Sequence, residues 1–280
     1  MKKRNQIIRY FIIYLIPLLG IILGTLFFSV LFIYVLDADY EEWKGNRAVE
    51  FLFHLCQILF AIILTVFVAK KILYYQFKRS LKIFSFHPQS ILKYGIVFVS
   101  ILFFTDLILS ILTGMPLKIE GSFEWDYGIL IGVIVLIVVS TYEEYLFRAF
   151  LLDAVERKVK SGILSSGIIG FLFTIYHTHR LLLSETFLYS FLVFFLSSSL
   201  MTYVMIRTKK IEITIGMHIF RNYYAWFILG SGADTFLHID KRTSDYDLLT
   251  TIIAYSLFFL FLKRQKVLSN RKTSYNISYE

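Results

Sequence analysis

Cysteine is almost absent. A single Cys56 sits inside an apolar run, which excludes an intramolecular disulfide and a cysteine metal cluster. Three prolines, Pro17, Pro88 and Pro116, leave little room for an extended soluble linker. Charged residues are scarce at 18%, and the chain holds no internal repeat, no low-complexity tract and no HExxH sequence. The first apolar stretch is too long for a cleaved signal and lacks a small-residue cleavage site, so it is expected to stay as an anchor. What fills the 280 residues instead is 57% hydrophobic and 18% aromatic, with a mean hydropathy of +0.67. Soluble domains do not have that composition.

Apolar stretches long enough to span a hydrocarbon core, about 17 to 25 residues, fall at 7–36, 51–68, 91–112, 129–152, 163–183, 187–206, 211–229 and 248–262. They predict an all-α, polytopic membrane helix bundle of about eight transmembrane helices. Lys and Arg gather at the N-terminus (Lys2, Lys3, Arg4), near Lys70 and Lys78, at Arg157 to Lys160, at Arg207 to Lys210 and after Lys263, whereas the intervening connections are acidic or mixed. This alternation puts both termini in the cytoplasm. Basic loops against anionic lipid also account for the net charge of +9 and the pI near 9.4 without any nucleic-acid partner. The chain divides into N-terminal transmembrane helices (1–127), a core bearing the chemistry (128–229), and a last helix with a cytoplasmic tail (230–280). A composition rich in Lys, Ile and Phe points to a bacterial cell membrane.

Charges inside these stretches are the informative exception. Glu143, Glu144 and Arg148 lie within the apolar run from Gly132 to Val155, where each ionised group costs several kcal/mol unless paired or hydrated. On an α-helix residues four apart share a stripe, so Glu144 and Arg148 can neutralise each other while Glu143 points elsewhere. A carboxylate in that setting suits general-base work; an ion pair between helices is the competing reading. The fifth stretch adds Phe173 and His177, the seventh His218 and Asn222, each pair four apart. Polar groups in membrane helices must find polar partners, and the simplest arrangement gathers them around a wet cavity. There Glu143 activates a water with His177 assisting, and His218 and Asn222 donate hydrogen bonds to an oxyanion. Counted at about 1.5 Å per residue, His177 lies deeper from its basic loop than His218 does, so a tilted or broken helix is needed to level them.

EEYLFR, FTIYH and HIFRN, in this order, resemble the CPBP family of CAAX prenyl endopeptidases, bacteriocin-processing enzymes and Abi proteins, with its EExxxR, FxxxH and Hxxx(N/D) motifs. The resemblance covers about residues 128–229. It implies an intramembrane endopeptidase of the glutamate type. Glu143 carries over as base, His177 as its partner, His218 and Asn222 as the oxyanion pair, and Glu144 and Arg148 as support, with Phe173 beside them. Members of this family are described both as metalloproteases and as metal-free. Glu143, His177 and His218 would make a His2Glu zinc set, but water activation without zinc is the favoured reading. The implied partners are membrane lipids and a membrane-associated or lipidated peptide. The alternatives are a non-enzymatic membrane protein for bacteriocin self-immunity or sensor regulation, and a transporter, which would show paired broken helices.

Other features have plainer readings. Gly20 with Gly24, Gly128 with Gly132, and Ser197 to Ser199 are small residues for close helix contact. Asp106 and Arg221 are candidates for interhelical salt bridges, His179 belongs to a short connection, and Trp43, Trp125, Tyr127 and Trp226 fit interfacial anchoring.

Overall fold

A computed structural model describes residues 2–31, 46–72, 87–119, 127–178, 186–230, 237–239 and 243–268. Trp43, Trp125 and His179 lie outside them. In chain order the elements are α1 (Lys2–Val30), α2 (Arg47–Ile72), α3 (Pro88–Thr113), β1 (Leu117–Ile119), α4 (Tyr127–Glu144) continued by a π-helical segment (Tyr145–Leu151), α5 (Leu152–Val159), α6 (Gly162–Tyr176), α7 (Phe187–Thr208), α8 (Ile211–Tyr223) continued by a second π-helical segment (Tyr224–Ile228), β2 (Leu229–Gly230), β3 (Leu237–Ile239) and α9 (Ser244–Arg264).

All eight apolar stretches are helical over nearly all of their described residues, but the helices differ in length. Among the described residues six helices are long and apolar enough to cross a membrane, one of them Pro88–Thr113 with 26 residues. Among the described residues the fifth stretch gives the 15 residues of α6, which His177 caps, and the seventh the 13 of α8, which hold His218 and run on into the second π-helical segment. Helix ends follow local chemistry. Pro88 opens α3, and Gly114 closes it in the left-handed region at φ 68°. Ser161 and Thr243 cap α6 and α9 by accepting from Leu164 N and Tyr246 N, each at 3.3 Å. Lys160 and Lys209 end α5 and α7 at φ 50° and 57°, a conformation costly for a residue with a Cβ. Large apolar side chains such as Ile163 (76%), Ile111 (72%) and Leu130 (64%) face outward, as a surface bathed in lipid requires. The chain is a multi-pass integral membrane protein.

Two compact units share the chain: Met1–Ser85 with Lys118–Leu146 and Arg221–His238, and Phe86–Leu117 with Phe147–Phe220 and Ile239–Glu280. In the first, α1 packs on α2 at backbone contact. A Cβ at Gly20 would fall 2.3 Å from Ala61 Cα, and one at Gly24 2.5 Å from Gln57 Cα, which is close packing in the absence of a hydrophobic driving force between helices. Polar side chains there satisfy one another. His54 Nδ1 donates to Gln57 Oε1 (3.1 Å), Gln57 Nε2 to Thr25 Oγ1 (2.8 Å), and Thr25 to Ile21 O (2.9 Å). Phe51, Ile129, Val135, Leu136 and Phe227 form the core on the α4 side. Leu229 and Gly230 of β2 pair in parallel with Leu237 and His238.

In the second unit Phe98 of α3 packs edge-on against Tyr255 (4.9 Å) and Phe258 (5.2 Å) of α9. Asp106 is buried between these helices. Its Oδ1 accepts from Thr250 Oγ1 at 2.9 Å, and its carbonyl from the Tyr246 hydroxyl at 2.6 Å. α6 and α7 meet at Gly170, beside Phe195 and Ser199.

Candidate active site

The two glutamates close α4, and the chain then widens into the π-helical turn that holds Arg148. Such turns recur at functional sites because the extra residue re-aims side chains. Glu143 is 5% exposed, Glu144 fully buried and Arg148 1% exposed, while His177 and His218 are 7% and 6% exposed. Five ionisable groups are therefore withdrawn from solvent in a protein whose outer surface is apolar.

On the glutamate side, in the first unit, Asn222 Nδ2 donates to Ser140 Oγ at 3.2 Å. Ser140 precedes Glu144 by one helical turn on α4, so the Asn222 amide is tied to the helix that carries the carboxylates. The neighbouring Tyr142 hydroxyl shares a 2.8 Å hydrogen bond with Thr65 Oγ1, which locks α4 in rotation against α2.

The histidines belong to the second unit, with Phe173 between them. Its ring lies 4.4 Å from the His177 ring and 5.9 Å from that of His218, and the Arg148 guanidinium stacks over it at 4.7 Å. Phe147 meets Phe173 edge-on at 5.0 Å, and Phe194 flanks His177 at 5.4 Å. Arg148 Nη2 donates to Ser198 Oγ at 2.6 Å and to Ser198 O at 3.4 Å.

His177 is also the residue at which α6 stops. Its backbone N–H turns to Thr174 O (3.0 Å), which deprives Phe173 O of its ordinary helical donor. The His177 ring supplies the replacement, with Nδ1 2.9 Å from that carbonyl. A carbonyl only accepts, so Nδ1 is the donor in this contact.

Of the residues expected from sequence, Arg148, Phe173, His177 and His218 are gathered within one unit, and Asn222 with the glutamate helix in the other. Ser140, Ser198 and Phe194 were missed. Ser140 was detectable by its spacing of one turn from Glu144; Ser198 was read as a packing residue, and nothing in the sequence marks Phe194. Among the described residues no three His, Cys, Asp or Glu side chains are gathered as a metal ion requires.

A multi-pass membrane protein with buried carboxylates and histidines is the class defined so far. Residues 125–224 match the family described as type II CAAX prenyl endopeptidase, Rce1-like. That segment contains every motif residue from Glu143 to Asn222, and the match agrees with the CPBP resemblance of the three motifs. No curated protein matches the chain.

Proposed function

We propose that this protein is an intramembrane endopeptidase that hydrolyses a peptide bond in a membrane-associated or lipidated peptide. The burial of Glu143 at 5% exposure beside Glu144, within the matched segment, carries the reading. A bundle does not keep such groups inside a membrane without a use for them. Glu143 takes a proton from water as its oxygen bonds to the scissile carbonyl carbon, with the His177 Nε2 side assisting. The negative charge that develops on the carbonyl oxygen is met by His218 and Asn222. Collapse of that intermediate breaks the C–N bond, and the proton held by Glu143 leaves with the amine, so the base is regenerated. A positioned base contributes about 10² to 10⁴ in rate and one oxyanion donor about 10² to 10³. The water is activated without a metal, so a chelator leaves turnover unchanged. Eight membrane passages with both termini in the cytoplasm of a bacterial cell fit the distribution of Lys and Arg.

The test compares membrane peptides by mass spectrometry in cells carrying wild type, Glu143→Gln and His218→Ala. The reading expects a shortened product with wild type alone. A product that persists with well-expressed Glu143→Gln overturns it and favours a non-enzymatic role in self-immunity or sensor regulation.

A further inference from the structure

We propose that Ser198, which lies outside all three motifs, is a positioning residue for Arg148 and through it for both histidines; this rests on the peptidase reading above. Arg148 carries a long side chain and a fixed positive charge into a place where it is 1% exposed. A guanidinium there can turn about its stem unless its edge and its face are both held. The face is held by Phe173, over whose ring it stacks at 4.7 Å. The edge is held by Ser198, whose Oγ accepts from Nη2 at 2.6 Å and whose carbonyl lies 3.4 Å from the same nitrogen. Charge-assisted hydrogen bonds of that length are the strong ones. Ser198 is itself 1% exposed, and its carbonyl is further fixed by Thr202 Oγ1 at 2.8 Å.

The chain of contact continues toward the chemistry. The Phe173 ring that receives the guanidinium is also the ring against which both imidazoles pack, at 4.4 Å and 5.9 Å. Rotation of Arg148 therefore displaces the surface that sets the attitude of His177 and His218. Ser197 and Ser199 sit on either side of Ser198, and a run of three serines reads as small residues for helix packing. Packing alone would accept alanine at all three positions. The hydrogen bonds to Arg148 set Ser198 apart.

The experiment is a double-mutant cycle on the full chain, scored by the rate at which the wild-type product forms, with Glu143→Gln run beside it. Ser198→Ala is expected to lower kcat about 10- to 100-fold, the loss of one charge-assisted bond, with KM changed less than about twofold. Ser198→Thr, which keeps the hydroxyl, restores most of the rate. In an Arg148→Ala background Ser198→Ala adds no further loss, because nothing remains to be positioned. Equal losses in both backgrounds, or wild-type kcat in Ser198→Ala, would overturn the proposal. If Glu143→Gln still yields product, the peptidase reading fails instead, whatever Ser198 does. Nitrogen-15 NMR of the guanidinium in detergent supplies an arm that needs no substrate. Distinct, slowly exchanging Nη signals are expected in wild type and an averaged signal in Ser198→Ala; identical spectra would sink the inference.

Discussion

Gly167 and Gly170 sit three residues apart on α6, and the same Gly→Ala change should act on them in opposite directions. A methyl at Gly167 meets nothing within 4 Å. One at Gly170 would lie 2.0 Å from Ser199 Oγ, 2.9 Å from Phe195 O and 3.0 Å from Ser199 Cβ. The hydroxyl can swing to another rotamer, but the carbonyl and the Cβ are fixed to α7. Ordinary contact begins at 3.4 Å, so α6 and α7 must part by 3.4 − 2.9 = 0.5 Å. Overpacking of that kind costs about 1 to 3 kcal/mol, whereas each alanine gains about 1 kcal/mol of helix propensity. The propensity gain cancels between the two variants, and the overpacking cost remains as their difference. For a chain of this size that corresponds to about 2 to 12 °C in Tm, with Gly167→Ala the higher, measured by thermal unfolding in one detergent. Activity should follow, because α6 carries Phe173 and His177 just beyond Gly170. A 1 Å misplacement of reacting groups costs about 100-fold, so a shift of half that size should lower the rate clearly. Equal Tm values for the two variants would refute the reasoning, since the contact of α6 with α7 at Gly170 would then be looser than described.

Thr250→Val keeps shape but removes the hydroxyl that donates to Asp106 Oδ1 at 2.9 Å; loss of a partner for a buried carboxylate should destabilise the protein by about 1 to 3 kcal/mol, read as a lower Tm, while Thr251→Val should not reproduce the effect. Lys160→Gly should raise Tm by relieving a left-handed residue at φ 50°, with a gain of about 1 kcal/mol. At Lys209 the same change mixes two effects, because burial pushes the Lys209 ammonium down while Glu156 at 3.7 Å opposes that shift. A cation whose folded pKa is lowered makes the folded state bind fewer protons, so stability rises with pH through the window below 10.5, and Lys209→Gly should flatten that rise.

Much of this architecture can be read from hydropathy alone. Where they are described, the eight apolar stretches are almost wholly helical, because a long apolar run in lipid has no other way to satisfy its backbone. Length was harder to read. In the fifth stretch α6 stops at Tyr176, where the His177 N–H bonds three residues back and its ring takes over the capping. Hydropathy shows only that His177, Thr178, His179 and Arg180 interrupt the apolar run, not the bond that ends the helix. Nor could periodicity reveal the π-helical turn from Tyr145 to Leu151, since in a uniformly apolar stretch a 3.6-residue repeat and a wider one look alike. The motif residues were visible because ionisable side chains are conspicuous among Ile, Val and Phe. Ser140 and Ser198 were not, because serine is as common at packed helix seams as at hydrogen-bonded sites. Asp106 was correctly seen as needing a partner, but Thr250 and Tyr246 lie about 140 residues away in sequence, and no local pattern connects them.

The imidazole of His177 finishes a helix with one of its two nitrogens. The hydrogen on that nitrogen is thus called for by where the chain bends. Flipping the ring would strand the Phe173 carbonyl. Lengthening α6 by one regular turn, an innocuous edit in most membrane proteins, would hand that carbonyl back to the backbone and unlatch the ring. A redesign of this protein should therefore leave the stop at residue 177 alone and vary the walls around it.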